Sequence, residues 1–179
     1  MKETIVLLGS NGQIGSELAV ALRAKFGASN VITSDIREPK SLNEGEIFET
    51  INVLDKEAVK ALFEKYKPTQ VYLLAAMLSA TGEQYPLKAW DLNMNGLLNV
   101  LNLCLELDIK KIFWPSSIAV FGPNSPKTNT PQYCVMDPNS IYGISKLAGE
   151  RLCEYYTEKY GLDIRSIRYP GIISWKTAP

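Results

Sequence analysis

The chain has 179 residues, of which 46% are hydrophobic and 21% charged, and its formal net charge is zero. This profile is that of one ordinary globular domain with a real core. A neutral chain offers no basic field to nucleic acid or anionic lipid. No apolar run approaches the ~20 residues that span a membrane. The composition therefore predicts neither a nucleic-acid partner nor a membrane partner.

The cysteine and histidine counts limit the chemistry further. Cys104, Cys134 and Cys153 are odd in number and show no Cys-x-x-Cys spacing, which favours reduced thiols in a cytoplasmic protein. The first residues show no signal-peptide pattern. The sequence has no histidine, which excludes a histidine-based catalytic triad and disfavours a catalytic zinc. We therefore predict no metal site.

The first thirty residues follow a strand, glycine loop and helix pattern. Residues 4–8 form a short apolar, β-branched run, and Gly9, Gly12 and Gly15 follow at once. Apolar residues then recur at helical spacing, at Ile14, Leu18, Ala21, Leu22 and Phe26. This context is typical of a dinucleotide-binding loop, in which a helix N-terminus faces a pyrophosphate. The alternative is a structural turn in which the glycines only permit the bend.

Asp35 lies at the position where a dinucleotide-binding fold carries the carboxylate that binds a ribose. Residues 30–34 read as a second strand that ends at Asp35, about twenty residues after the glycine loop. An aspartate there can bind the adenosine ribose hydroxyls and would repel a 2′-phosphate. Arg37 leaves a phosphate-bearing cofactor open, and a turn aspartate with no ligand is the other reading.

Strands and helices continue to alternate along the rest of the chain. This alternation predicts an α/β fold with a doubly wound parallel sheet and right-handed crossovers. We predict further strands at residues 47–53, 71–76, 111–114 and 164–169. We predict helices at residues 56–66, 86–107 and 141–160, with Asp55 as an N-cap and Gly161 as a C′ residue.

Polar side chains follow the carboxyl ends of the middle strands. We interpret residues 77–83 as a loop that leaves the fourth strand, and ligands bind outside such strand ends. Ser79 and Thr81 are therefore candidate substrate contacts, although loop hydroxyls are common. Asn93 and Asn95 are unusual inside a helix, and one of them is expected to face the site, because a buried amide needs partners.

Tyr142 and Lys146 are candidate acid/base residues. They lie four residues apart at the start of the last helix, on one face and one turn apart. A phenol normally titrates near pH ~10, and a nearby ammonium is expected to lower that pKa. Ser117 follows the fifth strand, and we expect its hydroxyl to lie near the Tyr142 phenol. The alternative is an amphipathic surface helix with a half-buried tyrosine.

Several motifs together resemble the extended short-chain dehydrogenase/reductases, and among them the NAD-dependent L-threonine 3-dehydrogenases. The glycine and Tyr-x-x-x-Lys motifs mark the superfamily, whereas the Leu-Ser-Ala loop and the Pro-Ser-Ser-Ile-Ala-Val-Phe-Gly run are more specific to the threonine dehydrogenases. The motifs are Gly9-Ser-Asn-Gly-Gln-Ile-Gly15, Leu73-Leu-Ala-Ala-Met-Leu-Ser-Ala80, Asp91-Leu-Asn-Met-Asn-Gly96, Trp114-Pro-Ser-Ser-Ile-Ala-Val-Phe-Gly-Pro123, Tyr142-Gly-Ile-Ser-Lys146 and Ser166-Ile-Arg-Tyr-Pro-Gly-Ile172.

The resemblance implies a role for each matching residue. Tyr142 would be the acid/base residue, Lys146 would bind the nicotinamide ribose and tune Tyr142, and Ser117 would hold the substrate hydroxyl. Ser79 would contact the substrate, L-threonine, whose C3 hydroxyl would become the ketone of 2-amino-3-oxobutanoate. The cofactor, NAD, would also contact Gly9, Gly12, Gln13, Ile14, Gly15, Asp35, Ile36, Arg37, Val53, Leu74, Ala75 and Ile172.

The resemblance also implies a cytoplasmic homodimer with a second, substrate-closing lobe. Residues 1–179 correspond to the NAD-binding Rossmann domain, and we expect this length alone to bind NAD and to oxidise threonine poorly. Two alternatives stay open. One is a nucleotide-sugar epimerase or dehydratase of the same superfamily, although such enzymes commonly carry a histidine in the loop after the fourth strand. The other is an NAD-binding module without turnover.

Overall fold

A six-stranded parallel sheet forms the centre of the fold. The computed structural model describes residues 3–173, so the last residues of the chain, 174–179, lie outside the described part. The strand order is β3-β2-β1-β4-β5-β7, and every pairing is parallel. The strands are β1 Ile5–Leu8, β2 Val31–Asp35, β3 Ile47–Thr50, β4 Gln70–Leu73, β5 Lys111–Phe113, β6 Ser116–Ser117, β7 Asp163–Arg165 and β8 Arg168–Tyr169.

Helices connect the strands and cover the sheet. They are α1 Gln13–Phe26, α2 Lys56–Tyr66, α3 Ser79–Gln84, α4 Pro86–Trp90, α5 Gly96–Glu106 and α6 Ile141–Tyr160, with a π-helical segment at Asp91–Asn95 and 3₁₀ turns at Ala28–Asn30 and Ile118–Val120. The doubly wound parallel sheet predicted from the sequence is therefore confirmed. Within residues 3–173, no helix has the length and apolarity that a membrane crossing requires.

Two apolar clusters lie on opposite faces of the sheet. The larger one joins β1, β4 and β5 to α2, α5 and α6, with Phe63, Leu97 and Leu101 fully buried. The smaller one packs α1 against β1 and β2, through residues such as Ile5 and Leu22. Strands buried on both faces read as continuous apolar runs, as β1 does. This packing fixes the carboxyl ends of β1, β2, β4 and β5 along one edge, where the candidate site lies.

Three expectations about the elements were wrong. Residues 77–83 do not form a simple loop, because α3 begins at Ser79. The helix expected at 86–107 is interrupted by the π-helical segment. The strand expected at 164–169 is divided into β7 and β8, and β8 pairs with β6 in a separate two-stranded sheet. Backbone bonds from Trp114 N to Arg165 O and from Ser116 N to Ile167 O join the two segments on either side of Pro115.

Tertiary contacts explain why α3 is helical. Thr81 and Gly82 have poor helix propensity, but α3 packs against α4 and α6 at this point. A Cβ at Gly82 would be in ordinary contact with Ala89 at 3.4 Å and with Ile141 at 3.5 Å. The carboxylate of Glu83 accepts a hydrogen bond from the backbone N–H of Ile141 at 2.7 Å. Helix α3 is therefore held against the start of α6.

Candidate active site

The glycine loop is folded tightly between β1 and its neighbours. The backbone N–H groups of Gly9 and Ser10 both donate to the Ser34 carbonyl, at 2.8 and 3.0 Å. Gly9 has φ +89°, and a Cβ there would lie 2.5 Å from Ala75 N. A Cβ at Gly15 would lie 2.3 Å from Gly9 O. These two glycines are therefore required by backbone contacts within the protein.

Gly12 differs from the other two glycines because it borders open space. Within residues 3–173 and apart from its own chain neighbours and helix backbone, a Cβ built there would lie within 4 Å of one heavy atom, Gly9 O, at 3.6 Å. Gly12 is also the N-cap of α1, whose first backbone N–H groups have no side-chain cap. A bare loop in front of uncapped N–H groups at a helix N-terminus fits a pyrophosphate. The residues present here therefore fit a dinucleotide.

The carboxylate of Asp35 is joined to this loop. One of its oxygens accepts from the Asn11 backbone N–H at 3.0 Å, and the other accepts from Ile36 N at 2.8 Å. The Asn11 side chain in turn donates to Arg37 O at 2.6 Å. Asn11 therefore ties the loop to the end of β2, a link that the motif spacing did not predict.

Two clefts open along the carboxyl edge of the sheet. One, called the ribose cleft because it contains the candidate ribose ligand Asp35, has a volume of about 460 Å³. Its lining includes Gly9, Gly12, Asp35, Ile36, Arg37, Val53, Leu74 and Ala75. The other, called the catalytic cleft because it contains the candidate acid/base residues, has a volume of about 570 Å³. Its lining includes Gly9, Gly12, Gln13, Ile14, Gly15, Ser79, Ser117, Tyr142, Lys146 and Ile172. The two clefts share the glycine loop. Every residue that the resemblance assigns to NAD or to the substrate lines one of the two clefts.

Two close contacts bring α6 against the strand end that carries Ser117. A Cβ at Gly143 would lie 2.2 Å from Ala119 O, and a Cβ at Gly149 would lie 2.3 Å from the Trp114 ring. Ser140 caps the helix by accepting from Gly143 N at 3.0 Å. Glycines at these two positions let the helix approach the segment after β5, which places Tyr142 and Ser117 in one cleft.

Lys146 is buried and does not form an ion pair in the described part of the chain. Its side chain is 2% exposed, and Nζ donates to Pro115 O at 2.8 Å. Nζ also lies 4.4 Å from the centre of the Trp114 ring and 5.6 Å from that of Tyr142. Burial lowers the pKa of Lys146 to about 8, because a low-dielectric environment disfavours the charged form.

The expected direction of the Tyr142 pKa was wrong for the protein without cofactor. Burial raises the pKa of the Tyr142 phenol, and an interaction with the Ser117 hydroxyl acts in the opposite direction. Lys146 does not offset this effect, because its ammonium is bound to Pro115 O. The predicted proximity of Ser117 and Tyr142 is confirmed. Their chemical roles stay predictions.

The asparagines and Thr81 lie in different environments. Asn93 is buried, and its amide exchanges hydrogen bonds with both the N–H and the carbonyl of Met77, at 2.8 and 3.1 Å. It also donates to Ser145 at 3.1 Å. Asn95 is exposed and donates to the carboxylate of Asp91 at 2.6 Å. Thr81 is exposed on α3 and does not line either cleft. Its proposed substrate contact is therefore not supported.

Sequence reasoning missed a charged pair beneath the catalytic cleft. Glu150 and Arg168 form a bidentate ion pair, with both N···O distances 2.8 Å, and Ser116 donates to Glu150 at 2.5 Å. Glu150 follows Lys146 by four residues, on the same side of α6. That spacing, with an arginine in the last strand, was the only signal available.

The doubly wound sheet and the bare glycine loop are typical of the nucleotide-binding domain of short-chain dehydrogenase/reductases, and the Ser-Tyr-Lys cluster in one cleft fits the same class. Comparison with known proteins agrees, since the model of the NAD dependent epimerase/dehydratase family matches residues 5–176. The chain belongs to this family. Its cofactor is NAD, as the sequence predicted.

Similar proteins share this fold and extend further. An uncharacterized epimerase/dehydratase of Staphylococcus saprophyticus is 50% identical over 173 residues, which are 95% of this chain and 53% of the relative. The holo structure of the GalE-like L-threonine dehydrogenase from Cupriavidus necator is 52% identical with a TM-score of 0.94, covering 98% of this chain and 58% of that chain.

A more distant structure has another activity. The UDP-glucose 4-epimerase of Thermus thermophilus, in complex with NAD, is 27% identical with a TM-score of 0.82, covering 93% of this chain and 54% of that chain. The chain thus spans about half the length of the curated relative and of both solved structures.

Proposed function

We propose that this protein takes part in the NAD-dependent oxidation of the C3 hydroxyl of L-threonine to the ketone of 2-amino-3-oxobutanoate. The observation that carries the proposal is the meeting of Ser79, Ser117 and Tyr142 in the cleft that also contains the glycine loop. The similarity to the threonine dehydrogenase of Cupriavidus necator, at 52% identity, supports this substrate.

The protein would hold NAD along the shared edge of the two clefts. The N-terminus of α1 and the bare backbone at Gly12 would bind the pyrophosphate. Asp35 would bind the adenosine ribose, and Lys146 the nicotinamide ribose. Bound NAD+ supplies the hydride acceptor.

Ser117 and Tyr142 would act on the substrate hydroxyl. Ser117 would orient the hydroxyl by a hydrogen bond, and the Tyr142 phenolate would accept its proton while the hydride leaves C3. Ser79, at the start of α3, lines the same cleft and would also contact the substrate. Because burial raises the pKa of Tyr142, less of the phenolate is present near neutral pH. The rate is therefore expected to rise as the pH rises and more of the phenol is deprotonated.

The test compares three reactions of the same protein preparation. NADH formation is followed with L-threonine and without substrate. Conversion of UDP-glucose to UDP-galactose is followed by chromatography, because an epimerase regenerates its NAD+ in each turnover and releases no net NADH. L-threonine-dependent NADH formation is the expected result, and the ranking of substrates decides, whatever the absolute rate. Turnover of UDP-glucose without L-threonine oxidation would contradict the proposal.

A nucleotide-sugar epimerase or dehydratase is the second candidate, favoured by the likeness to the Thermus thermophilus epimerase. That likeness is weaker, at 27% against 52% identity. Binding of NAD with no turnover of either substrate would leave the third reading, a cofactor-binding module.

A further inference from the structure

The Glu150–Arg168 ion pair lies next to the catalytic cleft without lining it. The two side chains are only 14% and 17% exposed. Arg168 donates from Nε to one carboxylate oxygen of Glu150 and from Nη2 to the other, and both distances are 2.8 Å. A bidentate pair that is largely shielded from water has a fixed geometry, unlike the mobile ion pairs of a surface.

On one side, the pair holds the strand that carries Ser117. Ser116 donates to the Glu150 carboxylate at 2.5 Å, and Ser116 lies opposite Arg168 in the β6–β8 ladder. The next pair in the ladder joins Ser117 to Tyr169, and both of these residues line the catalytic cleft. Strand β6 is therefore tied to α6 by a side chain and to β8 by its backbone.

On the other side, Arg168 holds the long segment between residues 122 and 138. Its Nη1 donates to Gln132 O at 3.1 Å, and its Nη2 lies 3.1 Å from Met136 Sδ. The guanidinium also lies 5.3 Å from the centre of the Phe121 ring. One arginine thus joins β8, α6 and this segment at a single point.

The helix that carries Glu150 also carries the acid/base pair. Tyr142, Lys146 and Glu150 follow one another at intervals of four residues along α6, and so lie on the same side of it. A displacement of Ser116 away from Glu150 would move Ser117 away from Tyr142. Burial would raise the pKa of Glu150, but its bonds to Arg168 and Ser116 outweigh this and lower it. The Glu150 carboxylate is therefore ionised near neutral pH, where the enzyme assay is run.

We propose that Glu150 and Arg168 are positioning residues that hold Ser117 against Tyr142 by tying strand β6 to helix α6. The proposal rests on the proposed function, in which Ser117 and Tyr142 act on one substrate hydroxyl. The pair acts through Ser116 and the backbone, and does not touch the reacting atoms.

The test replaces Glu150 by glutamine, which keeps the shape and removes the charge. Glu154→Gln is the matched control, because Glu154 lies one turn further along the same helix and pairs with Arg151 at the surface. The main readout is the titration of the Tyr142 phenol by carbon NMR of protein labelled at tyrosine Cζ. Its signal is assigned by its loss in Tyr142→Phe.

The ionisable groups that line the cleft with Tyr142 are Arg37, Lys146 and Tyr169, and none of them is changed. Because the Ser117 interaction lowers the Tyr142 pKa, its loss in Glu150→Gln moves the titration to higher pH. We expect Glu154→Gln to leave it in place. For L-threonine oxidation, kcat per NAD-binding site is expected to fall roughly 10- to 100-fold, the scale of small misplacements.

An unchanged Tyr142 titration in Glu150→Gln, together with an unchanged kcat per NAD-binding site, would overturn the proposal. Such a result would mean that the Glu150–Arg168 pair only stabilises the fold. Its loss would then lower the folded fraction of the protein without changing the active site of the molecules that do fold. If Glu150→Gln does not fold, Ser116→Ala removes a single bond to Glu150 and should shift the titration in the same direction. If the wild-type protein does not oxidise L-threonine, the proposed function fails, and the titration alone decides the positioning role.

Discussion

Gly149 lies directly against the indole ring of Trp114, so that a Cβ on this glycine would stand 2.3 Å from Cη2 and 2.6 Å from Cζ2. The ring is rigid and 2% exposed, and it cannot move aside as a flexible side chain could. This contact sets the distance between α6 and the end of β5. It also places Lys146 Nζ 4.4 Å from the centre of the same ring.

Gly149→Ala is therefore expected to destabilise the protein, although alanine is the better helix former. Overpacking of a filled interior costs about 1–3 kcal/mol, which outweighs the helix propensity gain of about 1 kcal/mol at its upper end. Urea denaturation measures the difference. An equally stable or more stable variant would show that the helix can shift without cost.

Unlike Gly149→Ala, Gly12→Ala should leave the stability of the protein almost unchanged and weaken NAD binding. Among the described residues, a Cβ at Gly12 has its one non-local contact at an ordinary distance, 3.6 Å from Gly9 O. The free energy of unfolding should therefore change by less than about 1 kcal/mol. The methyl group would occupy the space proposed for the pyrophosphate, and the NAD dissociation constant should rise at least ~10-fold. Calorimetry measures it, with Gly149→Ala as the comparison. Unchanged NAD affinity would place the pyrophosphate elsewhere.

Asp35 should make the protein prefer NAD over NADP. A carboxylate beside a 2′-phosphate repels it, and the expected preference is at least ~10-fold, or ~1.4 kcal/mol. Asp35→Ser removes the charge and should bring the dissociation constants of NAD and NADP closer together. Dissociation constants of both cofactors for both proteins provide the test, and equal affinities in the wild type would refute the assignment.

The buried Lys146 should lower the free energy of unfolding near neutral pH, because its charged form is less favourable in the folded protein than in the unfolded chain. Its pKa is about 8 in the folded protein against an ordinary value of 10.5. Below about pH 8 both states hold the proton, and the full burial cost of about 3 kcal/mol is present. Between about pH 8 and 10.5 the unfolded state binds more protons, so this contribution makes the wild type more stable as pH rises.

Lys146→Met removes this titration. The free energy of unfolding of the variant minus that of the wild type should therefore decrease between about pH 7 and pH 10. Lys127→Met, at an exposed lysine, is the control and should show no such decrease. A constant difference for Lys146→Met would mean that the buried lysine does not lose its proton in this range.

The sequence predicted those features that depend on neighbouring residues. The run of Ile5–Leu8 before Gly9 predicted a buried strand and a phosphate-binding turn, and the interval between Tyr142 and Lys146 placed them on one helical face. Each of these signals lies within a few residues. Motif resemblance then added Ser117 and Ser79, which spacing alone could only suggest.

Features that depend on distant contacts were missed. Helix α3 forms against α6 although Thr81 and Gly82 disfavour it, and its partner Ile141 is 58 residues beyond Glu83. The last strand is divided because β7 pairs with β5 and β8 pairs with β6, and both partners lie far earlier in the chain. The pKa of Tyr142 depends on whether Lys146 points to the phenol or to Pro115 O, which helical spacing does not determine.

The central claim is that Tyr142 accepts the proton of the L-threonine hydroxyl in an NAD-dependent oxidation. The most direct measurement is L-threonine-dependent NADH formation by the wild type and by Tyr142→Phe, with NAD affinity measured in parallel. Loss of a general base lowers kcat by ~10²–10⁴-fold, and we predict this loss with an unchanged NAD dissociation constant. Near-normal turnover by Tyr142→Phe would contradict the account.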